Sequence, residues 1–195
     1  MRNQRILIAV PVYQTCMTET MQSIYQLKIP SGVNADLHFM KGYTVDQARN
    51  LLASKSVTEK YDYTFFVDAD VIIPDNALTR LLKLDTDIAT GWYIKKLPGQ
   101  FVPELFIEEN GCLANVKGVD PAAIIPVKAC GFGCTLVKNE VFLKLGRGNW
   151  FEYIQNSHGL IASEDITFCT KAEAKGFKII VDGSLRCGHI GQTVF

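Results

Sequence analysis

The chain has 195 residues, enough to bury one substantial core, and that length favours a single domain carrying at most a flap or small subregion. Its 20 basic and 20 acidic side chains cancel, so no global field steers it onto nucleic acid or an anionic membrane, and an anionic ligand must be held locally. The early apolar run, residues 6–12, is interrupted by Pro11 and is too short for a signal peptide or an integral membrane segment. The cysteines at 16, 112, 130, 134, 169 and 187 stand singly with no zinc-ligand spacing. They read as reduced, mostly buried thiols and favour the cytoplasm, that of a host cell if the protein is viral.

Residues 5–10 (RILIAV) form a continuous apolar run stopped at Pro11, the pattern of a buried parallel strand. A helix is expected next, with Met17, Met21, Ile24 and Tyr25 at helical spacing. Residues 36–40 give a second strand. Thr44 and Gln47 then fit a capping box opening a helix that buries Val45, Ala48, Leu51 and Leu52. Residues 63–67 (YTFFV) are a third strand ending in Asp68-Ala69-Asp70, and Asp75 or Asn76 can cap a helix carrying Ala77, Leu78, Leu81 and Leu82. A short strand at 87–90 completes an alternation that predicts an α/β sheet with helices on both faces and ligands at the carboxyl ends of the strands. Residues 92–127 carry Pro98, Pro103, Pro121 and Pro126 and read as loops and irregular strands, a β-flap over the site. Regular structure returns as a strand at 134–138, a helix at 163–175 stopped by Gly176 and a strand at 177–181. The glycine-rich tail 183–195 is expected to fold back on the site.

The strongest chemical feature is FFVDADVIIPD. An apolar strand delivers Asp68 and Asp70 two residues apart, so extended backbone would project both from one side. A hard divalent ion serving a diphosphate takes one or two carboxylates and fills its other positions with phosphate and water. Acids after a strand also cap turns, but these two lie well ahead of the cap at Asp75. Ser163-Glu164-Asp165 opens a helix, where the dipole alone favours acids; an ionised Asp165 within hydrogen-bond reach would also serve as a base. His189 sits between Gly188 and Ile190-Gly191, and an imidazole can join carboxylates on Mn²⁺. Arg49 could pair with phosphate or base, or lie solvated on its helix; Lys95 and Lys96 could offer charge to a diphosphate. Gly131-Phe132-Gly133 precedes a strand and not a helix, so it is a poor dinucleotide fingerprint.

Taken in order, these motifs resemble the GT-A glycosyltransferases, in particular the inverting family 2-like group, over nearly the whole chain. The resemblance implies a Rossmann-like GT-A single domain spanning 1–195, with a mostly parallel central sheet, helices on both faces and a small β-flap. It implies a nucleotide-binding start at Pro11-Val12-Tyr13, a base-proximal helix at Ala48-Arg49-Asn50 and a DxD metal motif at Asp68-Ala69-Asp70. Gly133 would lie in the small-residue turn beside the sugar, and Trp150-Phe151 would be the aromatic pair before the acidic motif, Trp150 stacking on a sugar face unless it is core. Glu164-Asp165 would be the ED pair with Asp165 as base, and His189 the late metal ligand. The implied activity is transfer of a hexose from a nucleotide diphosphate sugar, UDP-linked by family habit, to a glycan or other hydroxyl acceptor with inversion. Mn²⁺ or Mg²⁺ would be held by Asp68, Asp70 and His189, with Pro11, Tyr13, Arg49, Asp68 and Lys95 on the donor. The chain ends soon after His189, so the usual acceptor elements are absent or come from a partner, and a homo-oligomer stays open. A nucleotidyltransferase normally opens with a glycine-rich basic loop, which AVPVYQT lacks. An aspartyl phosphatase carries DxD on its first strand and not its third. A non-catalytic nucleotide-sugar or glycan-binding module remains the alternative from another class.

Overall fold

The computed structural model of the protein describes residues 3–97, 99–146, 148–157 and 159–191. In chain order the first half gives β1 (Gln4–Val12), α1 (Thr18–Tyr25), β2 (Val33–Lys41), α2 (Val45–Thr58), β3 (Tyr63–Val67), β4 (Val71–Ile72), α3 (Ala77–Lys83) and β5 (Ile88–Trp92). There follow β6 (Leu105–Glu109), β7 (Cys112–Asn115), β8 (Ile124–Val127), β9 (Ala129–Cys130), β10 (Cys134–Lys138) and α4 (Asn139–Leu145). The last elements are β11 (Ile154–Asn156), β12 (Gly159–Ala162), α5 (Glu164–Ala174), β13 (Ile179–Arg186) and β14 (Gly188–His189).

Seven strands form the central sheet in the order β2-β1-β3-β10-β5-β13-β8. β2, β1 and β3 run parallel, β13 runs parallel to β5, and only β10 and β8 are reversed, so the sheet is mostly parallel. Alternation along each strand divides the core in two. Leu7, Ala9, Phe66, Ile88 and Val137 pack beneath α2, α4 and α5, while Ile6, Ile8, Phe65, Ala89 and Leu136 pack against α1 and α3. The expected helices on both faces are therefore present, and a one-residue slip of β1 would exchange its two apolar sets. On the α2/α4/α5 side Phe66, Phe132, Phe142, Phe151 and Phe168 are fully buried, with Phe151 stacked on Phe168 at 4.6 Å and 9°. Each such ring contributes about 1.5–3 kcal/mol of apolar burial, and this cluster is the floor of the site described below.

Several local expectations are corrected. β1 runs through Pro11 to Val12; its pairing with β3 stops at Ala9, so the N–H that proline lacks is not needed on that side. In α1, Met21 and Tyr25 are exposed, and Thr20, Ser23 and Ile24 turn inward because the Ser23 hydroxyl accepts Ile73 N–H at 3.2 Å. α2 buries Ala48, Arg49, Leu52, Ala53 and Ser56 and exposes Leu51, because Arg49 is drawn into the core by two carboxylates. Thr44 stands at the N-cap of α2 as expected but forms no capping box; its hydroxyl donates to Asp46 at 2.5 Å. Asn76 stands at the N-cap of α3 as expected but makes no side-chain cap bond, and Asp75 pairs with Lys28 at 2.5 Å.

The stretch 92–127 is only partly a flap. β7, β6 and β9 form a separate three-stranded sheet, its hairpin turned at Asn110-Gly111, where positive φ at both residues (54° and 78°) is the backbone that Asn-Gly tolerates. β8 leaves the flap to become the outer strand of the main sheet, a position that tolerates Pro126. β13 is longer than expected, with a register break between Val181 and Arg186. All six cysteines are free, and Cys130, Cys134, Cys169 and Cys187 are buried. Among the described residues no helix is long and apolar enough to cross a membrane.

Candidate functional site

β3 carries the chain to Val67 at the carboxyl end of the parallel strands, and a turn follows that is held from several directions. Asp68 N–H donates to the Gly133 carbonyl at 3.3 Å and Val71 N–H closes back on Asp68 O at 3.1 Å. Met17 N–H donates to Ala69 O at 2.8 Å and Ile190 N–H to Asp70 O at 2.9 Å. Because residues 68–70 form a turn and not extended strand, the two carboxylates diverge to different partners, correcting the expectation of a common direction. They still line one cleft of about 320 Å³ with Pro11, Tyr13 and Tyr43, so the residues expected at the donor's nucleotide meet the DxD turn there.

Asp70 faces a cationic group. Lys96 contacts its Oδ2, and His189 Nε2 lies 3.8 Å from its Oδ1. His189 arrives because β14 pairs with β4, setting His189 opposite Val71, so the tail folds back as expected; residues 192–195 lie outside the described residues. Its Nδ1 is 2.8 Å from the Ile94 carbonyl, an acceptor only, so Nδ1–H donates there and Nε2 is the nitrogen turned toward Asp70. The ring also packs edge-on against Tyr93 at 4.8 Å.

Asp68 faces inward. Arg49 donates Nη2–H to Asp68 Oδ1 at 2.7 Å and Nη1–H to Glu164 Oε1, bridging the DxD turn to the start of α5. The guanidinium is 3% exposed, and its carbon lies 5.4 Å from the Phe132 ring centre and 6.0 Å from that of Phe151. Burial alone would favour the neutral base, but the charges of Asp68, Glu164 and Asp165 outweigh it and hold Arg49 charged. Burial pushes the Glu164 carboxyl up from its ordinary value, Arg49 opposes this, and the Asp165 charge adds to it. Tyr153 hydrogen-bonds Glu164, and its hydroxyl is pushed up by burial and by the Glu164 charge.

Asp165 is half-buried in the first turn of α5, its Oδ1 accepting the Ser163 hydroxyl and Ile166 N–H at 2.8 Å. Its charge is felt at Tyr93 and Glu104. Burial, then Asp68 and Asp165, drives the Tyr93 hydroxyl well above its ordinary value, so it stays protonated while accepting Gly133 N–H at 3.2 Å. Burial raises Glu104, Lys95 opposes, and Asp165 adds. Carboxylates from β3 and α5 thus converge around Arg49 and Tyr93.

Other expected residues are placed differently. Lys95 points to the flap, 3.4 Å from Glu104 and 4.6 Å from the Phe106 ring centre, and the neighbouring Lys96 reaches Asp70 instead. Trp150 donates its indole N–H to the carbonyls of Phe142 (3.1 Å) and Gly146 (2.9 Å) and packs on Phe142, anchoring α4 away from the carboxylates. Gly133 is required by packing: a Cβ there would lie 2.7 Å from both the Tyr93 ring and Val71. Tyr93, Glu104 and Tyr153 escaped the sequence reading; only the proximity of Tyr93 to Lys95 and Lys96 offered a signal.

Among the described residues no three His, Cys, Asp or Glu side chains converge as a ready metal cage. One carboxylate (Asp70) and one imidazole (His189), the latter with its other nitrogen bonded to a carbonyl, nevertheless fit an Mn²⁺-type ion that completes its shell with phosphate and water. Lys96 shows that the place already attracts a cation.

No protein-family model matches the sequence, and no curated protein does. Among solved structures, A197 from STIV shares the fold at 16% identity, covering 97% of this chain and 87% of that one, with a TM-score of 0.65. GalNAc-T7 with UDP, GalNAc and Mn²⁺ matches at 13% identity, 97% of this chain and 44% of that one, TM-score 0.63. S. aureus TarS 1-349 in complex with UDP-GlcNAc matches at 14% identity, 98% of this chain and 60% of that one, TM-score 0.59. At such identities the likeness is one of fold, the GT-A-like α/β architecture, and the chain spans roughly half the length of the last two structures.

Proposed function

We propose that residues 1–195 act as one glycosyltransferase domain that moves a sugar from a nucleotide diphosphate donor, UDP-linked, to a hydroxyl acceptor with inversion. The observation that carries this reading is the junction of Asp70 and His189 at the carboxyl ends of the parallel strands, strapped by β14 and opening on a cleft lined by Pro11 and Tyr13. That two structures of the same fold were solved with UDP, GalNAc and Mn²⁺ and with UDP-GlcNAc supports the choice of donor.

Asp70 and His189 would hold Mn²⁺ or Mg²⁺, which when bound neutralises charge on a departing diphosphate. Asp68, fixed by Arg49, keeps the turn in place, and Pro11 and Tyr13 flank the base. Asp165 would accept the acceptor's proton; the Ser163 hydroxyl orients its carboxylate and Arg49 keeps positive charge beside it. Glu164 holds Arg49 and is a positioning residue. The six free thiols fit a reducing compartment, and we place the protein in the cytoplasm.

A thermal-shift and transfer assay tests this. UDP or a UDP-sugar at about a hundred times its Kd with Mn²⁺ should stabilise the protein by about 2.7 kcal/mol, and Asp70→Ala should abolish the metal-dependent part. Asp165→Asn should keep that donor-induced shift and lose transfer. Absence of any shift with nucleotide diphosphates and their sugars in folded protein would leave a glycan-binding module, and full transfer by Asp165→Asn would remove Asp165 as the base.

A further inference from the structure

A second cleft, about 730 Å³, opens on the other side of the Asp70–His189 junction, lined in part by Lys95, Lys96, Phe101, Arg186 and His189. Among the described residues no aspartate or glutamate lines it, although acids and bases balance over the whole chain. Lys95 and Lys96 are paired with Glu104 and Asp70, which lie outside that lining. Arg186 is different. It is exposed, it has no carboxylate partner among the described residues, and its guanidinium lies over two rings, 5.5 Å from the centre of Trp92 and 5.4 Å from that of Phe101. Trp92 is itself fixed, buried with its indole N–H on the Gly183 carbonyl at 2.8 Å. Phe101 is 74% exposed and leaves most of its ring uncovered at the cleft.

Each of these features favours one kind of ligand. A guanidinium resting over two aromatic rings loses less freedom on binding than a free one and keeps its planar fork of N–H donors for a phosphate or carboxylate. A cleft of this volume that gathers cations and excludes acids attracts anions locally. The cleft lined by Pro11 and Tyr13 lies on the Asp70 side and this one on the His189 and Lys96 side, so a donor seated in the first leaves the second for the other substrate.

We infer that Arg186, braced by Trp92 and Phe101 in an acid-free cleft beside His189, binds a phosphate or carboxylate group on the acceptor, so that the substrate receiving the sugar is itself anionic. This rests on the glycosyltransferase reading for the word acceptor, while the anion site stands on the cleft alone.

Calorimetric titration of the full chain with methyl glucoside, glucose 6-phosphate and glucuronate, alongside UDP with Mg²⁺, separates the two. The two anionic sugars should bind about fivefold or more tightly than the neutral one. Arg186→Gln should erase that preference, Phe101→Ala should weaken it, and both should leave UDP affinity within about twofold of wild type. Equal affinity for all three sugars, no measurable binding of any, or a preference that survives Arg186→Gln would overturn the inference. So would Arg186→Gln weakening UDP instead, because the cations would then serve the donor diphosphate. An Arg186-dependent anion preference in protein that fails to bind UDP would keep the anion site and defeat the glycosyltransferase reading.

Discussion

Replacing Arg49 by methionine keeps an unbranched chain of comparable reach over Phe132 and Phe151 and removes only the charge and its donors. Two carboxylates lose their partner. Glu164, 7% exposed at its side chain, cannot recover by hydration, whereas Asp68, at 22%, can do so in part. Removing one member of a buried pair costs about 3–5 kcal/mol, a large share of the roughly 5–15 kcal/mol that stabilises a domain. The loss has a defined pH dependence. Burial already raises the Glu164 pKa, so the folded state holds a proton that the unfolded chain releases near its reference value of about 4.3. Stability from this group is therefore complete below the unfolded value and falls as pH rises through the folded value. Without the opposing charge of Arg49 the folded value rises further, so Arg49→Met should be penalised more at about pH 8 than at about pH 5. Urea unfolding at both values measures the difference. Arg49→Met/Glu164→Gln should recover most of the stability, because no buried charge is then left alone. An unchanged urea midpoint for Arg49→Met at the higher pH, or a double variant no more stable than the single, would refute the bridging role.

Arg80 donates to Asp182 through Nε (2.6 Å) and Nη2 (3.0 Å), tying α3 to β13. Arg80→Ala should cost about 1.5–3 kcal/mol near neutrality, the range for hydrogen bonds to a charged group. Burial pushes Asp182 up, but the bonds from Arg80 and Ser184 outweigh it and hold the carboxyl below its ordinary value. The contribution is therefore present above the unfolded pKa and is lost as pH falls through the folded one, so wild type and variant should converge in acid denaturation curves. Gly133→Ala places a methyl 2.7 Å from the Tyr93 ring and Val71, and overpacking of this kind costs about 1–3 kcal/mol. Because Tyr93 packs on His189, the same variant should shrink the Mn²⁺-dependent thermal shift with UDP; a wild-type shift would separate Tyr93 from the metal position.

Much of the architecture was legible in the chain. The runs RILIAV, YTFFV and CTLVK specify buried strands because one apolar set faces each layer of helices, and Gly176 stops α5 where a positive φ of 83° is needed. The place of Asp68 and Asp70 at the end of β3 was likewise visible, since carboxylates after a strand in an α/β alternation lie where ligands bind, although the turn they occupy was not. Periodicity held on α1 and α2 for Ile24, Ala48 and Leu52 but failed at other positions. It assigns apolar residues inward, and here Met21, Tyr25 and Leu51 are exposed while Arg49 is buried. No local rule predicts a buried arginine whose partners lie 19 and 115 residues away, because the energy that draws it inward exists only once β3 and α5 stand beside α2.

By itself the sequence determined the α/β order and the two-faced sheet, and it marked Asp70, Asp165 and His189 as candidates for chemistry. Only the tertiary structure decided that Asp68 turns to Arg49 and not outward with Asp70, that Lys96 and not Lys95 meets Asp70, and that Arg186 is gripped by rings from β5 and the flap. The physical reason is range. Propensity, alternation and turn chemistry act over a few residues and are written in the chain, whereas charge pairing and ring contacts depend on distances that exist only when remote strands and loops have packed.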